Sequence, residues 1–267
     1  MLADYHIHTN SSDDSKVTME EYANRAVELG FDEICFTDHV EYAAKSPIVK
    51  GEVDYYGRYK NLIENFDKNL SIKFGAEFGV QRDNVEFFKE FFKQYPFDFV
   101  LLSCHTIGGL ELYDGTFQEG RTQKEYNEAY YNELLEVVKN FKNYSVLAHV
   151  DLIRRYDKSY YSLEHTYPIV SEILKQAIKD GKGIEINTSS FQYKIPDLTP
   201  SVDIIKLYKE LGGEIITIGS DSHTLNRLGN NILDIHQKLR ELGFDSFYTF
   251  DKMTPIRHEL SVLAELA

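Results

Sequence analysis

The chain has 267 residues, 42% of them hydrophobic and 27% charged, with a formal net charge of -14. That length buries one large core and is expected to form a single barrel-type domain over 1–267. The acidic balance argues against nonspecific binding to nucleic acid or anionic membrane, but leaves an anionic small molecule open, because metal ions invert a local field.

No apolar run nears the roughly 18 residues that span a bilayer. The segment 1–8 does not read as a signal peptide. Cys35 and Cys104 lie inside apolar runs and form no CxxC pair. A cytoplasmic protein with two buried free thiols is therefore expected, without a thiolate zinc site.

In chain order, seven short runs rich in β-branched and aromatic residues predict strands over 2–8, 33–39, 72–80, 97–105, 145–151, 183–189 and 214–223. Thr18 with Glu21 fits a capping box, and Gly30 suits the stop of the helix between the first two runs. Further helices are predicted over 55–69, 84–95, 122–142, 164–180, 201–211 and 231–242. The run 247–250 is ambiguous as an eighth strand. Strand and helix alternating about seven times imply a parallel sheet, closed or open.

The positions of ligand-type residues decide between these two. Of nine histidines, six stand at the ends of strand-like runs: His6, His8, His39, His105, His149 and His223. Glu77 and Asp221 occupy positions of the same kind. Six strands spread across a flat sheet cannot aim their ends at one small volume, whereas a closed ring can. An α/β barrel with the site at the C-terminal ends of its strands is expected. His6 and His8, two apart on a strand, point to one face. Glu77, buried at the end of the third run, needs a partner, and a pair of metal ions supplies one. Nitrogen and carboxylate ligands without thiolates suit Zn, Mn or Fe as divalent ions. The ligand count exceeds that of one catalytic zinc, so two to three ions are expected. Such clusters clamp an in-line displacement at phosphorus, with hydroxide held between two ions as nucleophile.

The segments His6-Ile7-His8-Thr9, Thr37-Asp38-His39, Gly75-Ala76-Glu77, Ser103-Cys104-His105, Ala148-His149-Val150-Asp151 and Gly219-Ser220-Asp221-Ser222-His223, in this order, resemble the polymerase and histidinol phosphatase (PHP) family. The resemblance implies a distorted (β/α)7 barrel with a trinuclear metal centre. Carried over residue by residue, His6, His8, Glu77 and Asp221 would hold one ion. Glu77 would bridge to a second, completed by His105 and His149. The third would take His39, His223 and the residue six positions after His8, which is Asp14 where many members have histidine. Asp13 is the adjacent alternative.

Further segments, among them Ile107-Gly108-Gly109, His149 to Arg155 and Glu185-Ile186-Asn187-Thr188-Ser189, resemble the monofunctional histidinol-phosphate phosphatase branch. The resemblance implies hydrolysis of L-histidinol phosphate in histidine biosynthesis, with a small phosphate monoester as partner. It implies catalytic roles for Glu77, Asp221, His223 and Arg155. Arg155, or alternatively Arg154, would grip phosphate. A second arginine common in the branch corresponds to Gln192 here, with Arg121, Arg227 or Arg257 as possible replacements. Asp114 and Glu119 are candidates for pairing with the substrate's cationic groups. The rival readings are a PHP phosphoesterase acting on nucleotides, oligonucleotides or phosphotyrosine, an amidohydrolase-like C–N hydrolase, and a non-enzymatic metal-binding module. The sequence leaves the oligomeric state open.

Overall fold

The computed structural model describes residues 1–43, 46–50, 55–157, 159–193 and 195–260. The strands are β1 (Ala3–Ile7), β2 (Glu33–Phe36), β3 (His39–Ala43), β4 (Ser46–Lys50), β5 (Ser71–Gly79), β6 (Phe99–Ser103), β7 (Thr106–Ile107), β8 (Leu110–Glu111), β9 (Val146–Leu147), β10 (Gly183–Asn187), β11 (Ile216–Gly219), β12 (Ser246–Asp251) and β13 (Thr254–Glu259). The helices are α1 (Met19–Glu28), α2 (Tyr55–Asn65), α3 (Val85–Phe92), α4 (Gln123–Asn140), α5 (Tyr167–Lys179), α6 (Val202–Glu210) and α7 (Ile232–Glu241). Local chemistry sets the helix starts. Thr18 and Glu21 satisfy each other's backbone donors at α1, and Thr122 and Glu125 do the same at α4. Each such cap contributes about 1 kcal/mol. Gly30 ends the first helical segment at φ +76°, a left-handed conformation that suits glycine.

Seven strands, β1-β2-β5-β6-β9-β10-β11, pair in parallel in that order. The ring is nearly closed by a parallel bridge from Ile7 to Ser222. There His8 N–H donates to Ser222 O at 2.9 Å, and Ser222 N–H to His6 O at 3.2 Å. The buried Asp4 carboxylate strengthens this seam, accepting from Ser220 N–H at 2.9 Å and Gly229 N–H at 3.0 Å. The expected α/β barrel of the PHP type is thus observed. Among the described residues, no helix is long and apolar enough to cross a membrane.

Each predicted strand run is realised, and most stop short of their predicted C-terminal ends. The chain turns there to present ligand-type side chains. His149 and Asp221 adopt φ of 22° and 54°, which ends ladder pairing and stores strain typical of functional sites. The second run divides at Thr37-Asp38 into β2 and β3, so β5 pairs first with one and then with the other. The ambiguous run 247–250 becomes β12. It does not enter the ring but pairs antiparallel with β13 and closes the N-terminal end of the barrel. There the Tyr5 hydroxyl donates to Glu33 Oε1 at 2.6 Å and accepts Phe250 N–H at 2.9 Å, and Phe250 packs on Phe99. This leaves the C-terminal end as the open one.

Candidate metal centre

The β1–β2 register shifts between Asp4 and Ile7, a bulge that breaks the strict alternation of the strand. Tyr5 therefore meets Phe99 across the barrel while the next residue, His6, also faces inward. His6 Nε2 and His8 Nε2 stand 3.3 and 3.4 Å from Glu77 Oε2, and 3.6 and 3.3 Å from Asp221 Oδ1. His39 Nδ1 lies 3.1 Å from the same Glu77 oxygen, and on the other side of the carboxylate His149 Nε2 and His105 Nε2 lie 2.8 and 3.2 Å from Glu77 Oε1. Glu77 is thus the centre of five imidazoles. Its own orientation is held by the Ser103 hydroxyl, which donates to Oε1 at 2.5 Å. Burial works to raise the Glu77 pKa, but His6, His105 and His39 hold it well below the usual range.

A third grouping lies at the mouth. His8, His39 and His223 present nitrogens close together. Asp14 Oδ2 is 3.0 Å from His223 Nε2 and 3.6 Å from His39 Nε2. Burial works against a charged His223, but the hydrogen bond to Asp14 and the Asp221 charge raise its pKa to about 9. His8 moves the opposite way: burial, then the neighbouring His223 and His39, push its pKa well down.

His6 Nε2, His8 Nε2, His39 Nδ1 and Glu77 Oε2 are buried without a hydrogen-bond partner. An unsatisfied buried polar atom costs about 1–3 kcal/mol, so four aimed at one volume need a common partner. Divalent cations satisfy all of them, and the nitrogen–carboxylate donor set suits such ions.

One support is absent from the sequence reading. Glu41 Oε1 lies 2.6 Å from His105 Nδ1, an arrangement that fixes the tautomer and leaves Nε2 for a metal. A Cβ at Gly79 would stand 1.9 Å from the Glu41 carboxylate, so the glycine makes room for it. The signal was present in His39-Val40-Glu41, where i and i+2 share a face of a strand.

A cavity of about 620 Å3 opens onto the centre, walled by Glu41, Tyr42, Glu111, Tyr113, Leu152, Arg155, Tyr156 and Tyr193 besides the ligand-type residues. Asp14 and Asp13 both border it. Arg155 Nη2 is 2.8 Å from Ser189 Oγ and 3.6 Å from Asp221 Oδ2, and the guanidinium lies 4.0 Å over the Tyr193 ring. The other polar candidates do not line this cavity. Arg154 turns away to Asp151 at 2.8 Å and Asp197 at 3.6 Å. Arg121 lies over Phe117, and Arg257 pairs with Asp245 at 3.0 Å on β13. Gln192 is exposed, and Arg227 is half-buried outside the cavity wall. Asp114 is tied to Thr116 within its own turn, and Glu119 is exposed. The loop carboxylate that faces the cavity is Glu111, at the end of the β7–β8 hairpin that the strand pattern did not reveal.

The model of the PHP domain matches residues 4–189. A histidinol-phosphatase of Lactococcus lactis subsp. lactis (strain IL1403) is 33% identical over 265 residues, covering 97% of this chain and 98% of that relative. A crystal structure of histidinol phosphate phosphatase from the same organism, complexed with zinc, L-histidinol and phosphate, superposes with a TM-score of 0.85 at 31% identity, covering 96% of this chain and 98% of that one. A structure from Listeria monocytogenes, 21% identical with a TM-score of 0.69 over 85% of this chain and 97% of its own, shares the fold. With the family model matching most of the chain and the ligand-type residues gathered at one end of the barrel, the protein belongs to the PHP domain family.

Proposed function

We propose that this protein is a metal-dependent phosphomonoesterase that hydrolyses L-histidinol phosphate to L-histidinol and phosphate. The carrying observation is the convergence of six histidines on Glu77 and Asp221, at the floor of a cavity that Arg155 also lines. Near-full-length similarity to an enzyme whose structure holds zinc, L-histidinol and phosphate supports the same substrate here. We assign His6, His8, Glu77 and Asp221 to one ion, Glu77, His105 and His149 to a second, and Asp14, His39 and His223 to a third, each ion being Zn, Mn or Fe. When bound, the ions supply positive charge for an in-line displacement and acidify a water.

The protein's own side chains do the rest. Arg155 offers a guanidinium that matches the geometry of phosphate oxygens. Asp221 and Tyr193 hold that guanidinium at the cavity wall. Glu41 and Glu111 give the outer cavity acceptors for a cationic substrate. The buried free thiols Cys35 and Cys104 fit a reducing compartment, and we assign the activity to the cytoplasm.

Exhaustive chelation is expected to abolish turnover of L-histidinol phosphate, and divalent metal to restore it. Full activity in protein that metal analysis finds free of ions would overturn the mechanism. Asp14→Ala is expected to lower the content by about one ion, because among the described residues Asp14 pairs with His39 and His223, and Asp14→His to restore it. Retention of every ion in Asp14→Ala, with loss in Asp13→Ala, would transfer the role to Asp13.

A further inference from the structure

Strand β10 carries Glu185 and Asn187 two residues apart, so both enter the barrel interior. Both are fully buried, as is Ser189 just beyond. Glu185 Oε1 is 2.5 Å from His6 Nδ1, while Oε2 accepts His149 N–H at 3.0 Å and the Asn187 amide at 3.3 Å. The same amide nitrogen is 3.4 Å from Asp221 Oδ2. Asn187 Oδ1 accepts Ser189 N–H at 2.9 Å and the Ser189 hydroxyl at 2.5 Å. Ser189 Oγ in turn accepts from Arg155 at 2.8 Å. A Cβ at Gly219, on the adjacent strand, would stand 2.3 Å from His6 Cβ and 2.5 Å from Glu185 Oε1, so the glycine there makes room for the first link.

The direction of each bond from Asn187 to Arg155 is determined. Asn187 faces donors with its oxygen and two carboxylates with its nitrogen, so its amide has one satisfied orientation. Ser189 spends its single proton on Asn187 and leaves a lone pair for the guanidinium. The chain of contacts runs without a break from His6 to Arg155.

We propose that Glu185, Asn187 and Ser189 are positioning residues that tie the His6–His149 side of the metal centre to Arg155, so that one buried strand aligns both the metal ligands and the phosphate grip. Glu185 acts mainly on the metal ligands, Ser189 on the arginine, and Asn187 on both. The inference rests on the reading of Arg155 as the residue that holds phosphate.

The test uses the zinc-loaded full chain with two readouts: zinc retention against a competing chelator, and affinity for inorganic phosphate by calorimetry at saturating zinc. Glu185→Gln has one acceptor oxygen where the carboxylate serves both His6 and His149, and is expected to weaken zinc retention about 10- to 100-fold. Ser189→Ala is expected to keep its zinc and bind phosphate about 2- to 12-fold more weakly, less than the full worth of a charged hydrogen bond because Arg155 keeps Asp221 and Tyr193 as supports. Asn187→Ala should lose on both. Arg155→Ala is the reference and is expected to lose about 10- to 150-fold in phosphate affinity. If Arg155→Ala binds phosphate normally, the phosphate-grip reading falls and takes this inference with it. If Arg155→Ala is impaired but Ser189→Ala and Asn187→Ala bind phosphate as the parent does, the coupling alone is overturned. Should Asn187→Ala fail to fold, Glu185→Gln and Ser189→Ala decide the matter between them.

Discussion

Glu77→Gln is expected to remove the equivalent of two ions at once and to lower turnover by about 10³-fold or more, beyond the loss typical of a single electrostatic contact. The physical reason is the position of one carboxylate. Its Oε2 faces His6, His8 and His39, and its Oε1 faces His105 and His149. Glutamine keeps the volume but loses the charge, and its amide nitrogen cannot ligate a cation. It also leaves the surrounding imidazoles without the anion that offsets their burial. Glu77→Asp retains the charge on a shorter arm, and is expected to recover part of the metal but little of the rate. The measurements are metal per chain by elemental analysis and initial rates at saturating metal. A Glu77→Gln protein with a full metal complement and near-normal rate would show that the carboxylate does not bridge.

Much of this site was legible in the sequence, because its parts are tied to strand ends. Short runs rich in β-branched and aromatic residues set where strands run, and a barrel brings their C-terminal ends together, so His6, His8, Glu77, His105 and His149 could be grouped from the sequence alone. Asp14 was reached only through the resemblance and its six-residue offset from His8; the structure brings it beside His223. Glu41 was not read, because the hairpin of β3 and β4 departs from the strand–helix alternation. The loops were illegible for a different reason. Arg154 and Arg155 are adjacent and chemically alike, and only the short 3-10 turn over Leu152–Tyr156 sends one to Asp151 and the other to the cavity. Asp114, Glu119 and Glu111 likewise share one acidic loop. The backbone pairing of Ile107 with Leu110, invisible as a periodicity over so few residues, decides which of them faces inward.

L-Histidinol phosphate is expected to exceed phosphotyrosine, nucleoside monophosphates and simple sugar phosphates by about 10²-fold or more in kcat/KM. The metal centre by itself accounts only for phosphoester cleavage, since every one of these substrates presents the same group to it. Discrimination has to come from the outer cavity. Its volume of about 620 Å3 suits a small molecule, and its wall sets two carboxylates, Glu41 and Glu111, among tyrosines. An ammonium and an imidazole can add charged hydrogen bonds to these carboxylates. A sugar phosphate brings no cation to them, and phosphotyrosine brings its ammonium together with a carboxylate that they repel and no imidazole; sites built around such polar contacts reject analogues steeply. Nucleotides add a bulky base and no matching cation. Glu111 is the sharper probe of the two, because Glu41 also holds His105 and its loss would mix substrate binding with metal geometry. Glu111→Gln is therefore expected to lower the ratio of kcat/KM for L-histidinol phosphate to that for p-nitrophenyl phosphate by about tenfold, the weight of one charged hydrogen bond, at unchanged metal content. An unchanged ratio would remove Glu111 from recognition. A side-by-side panel in which a nucleotide or phosphotyrosine outruns L-histidinol phosphate would leave the barrel and its metal chemistry in place and overturn the substrate.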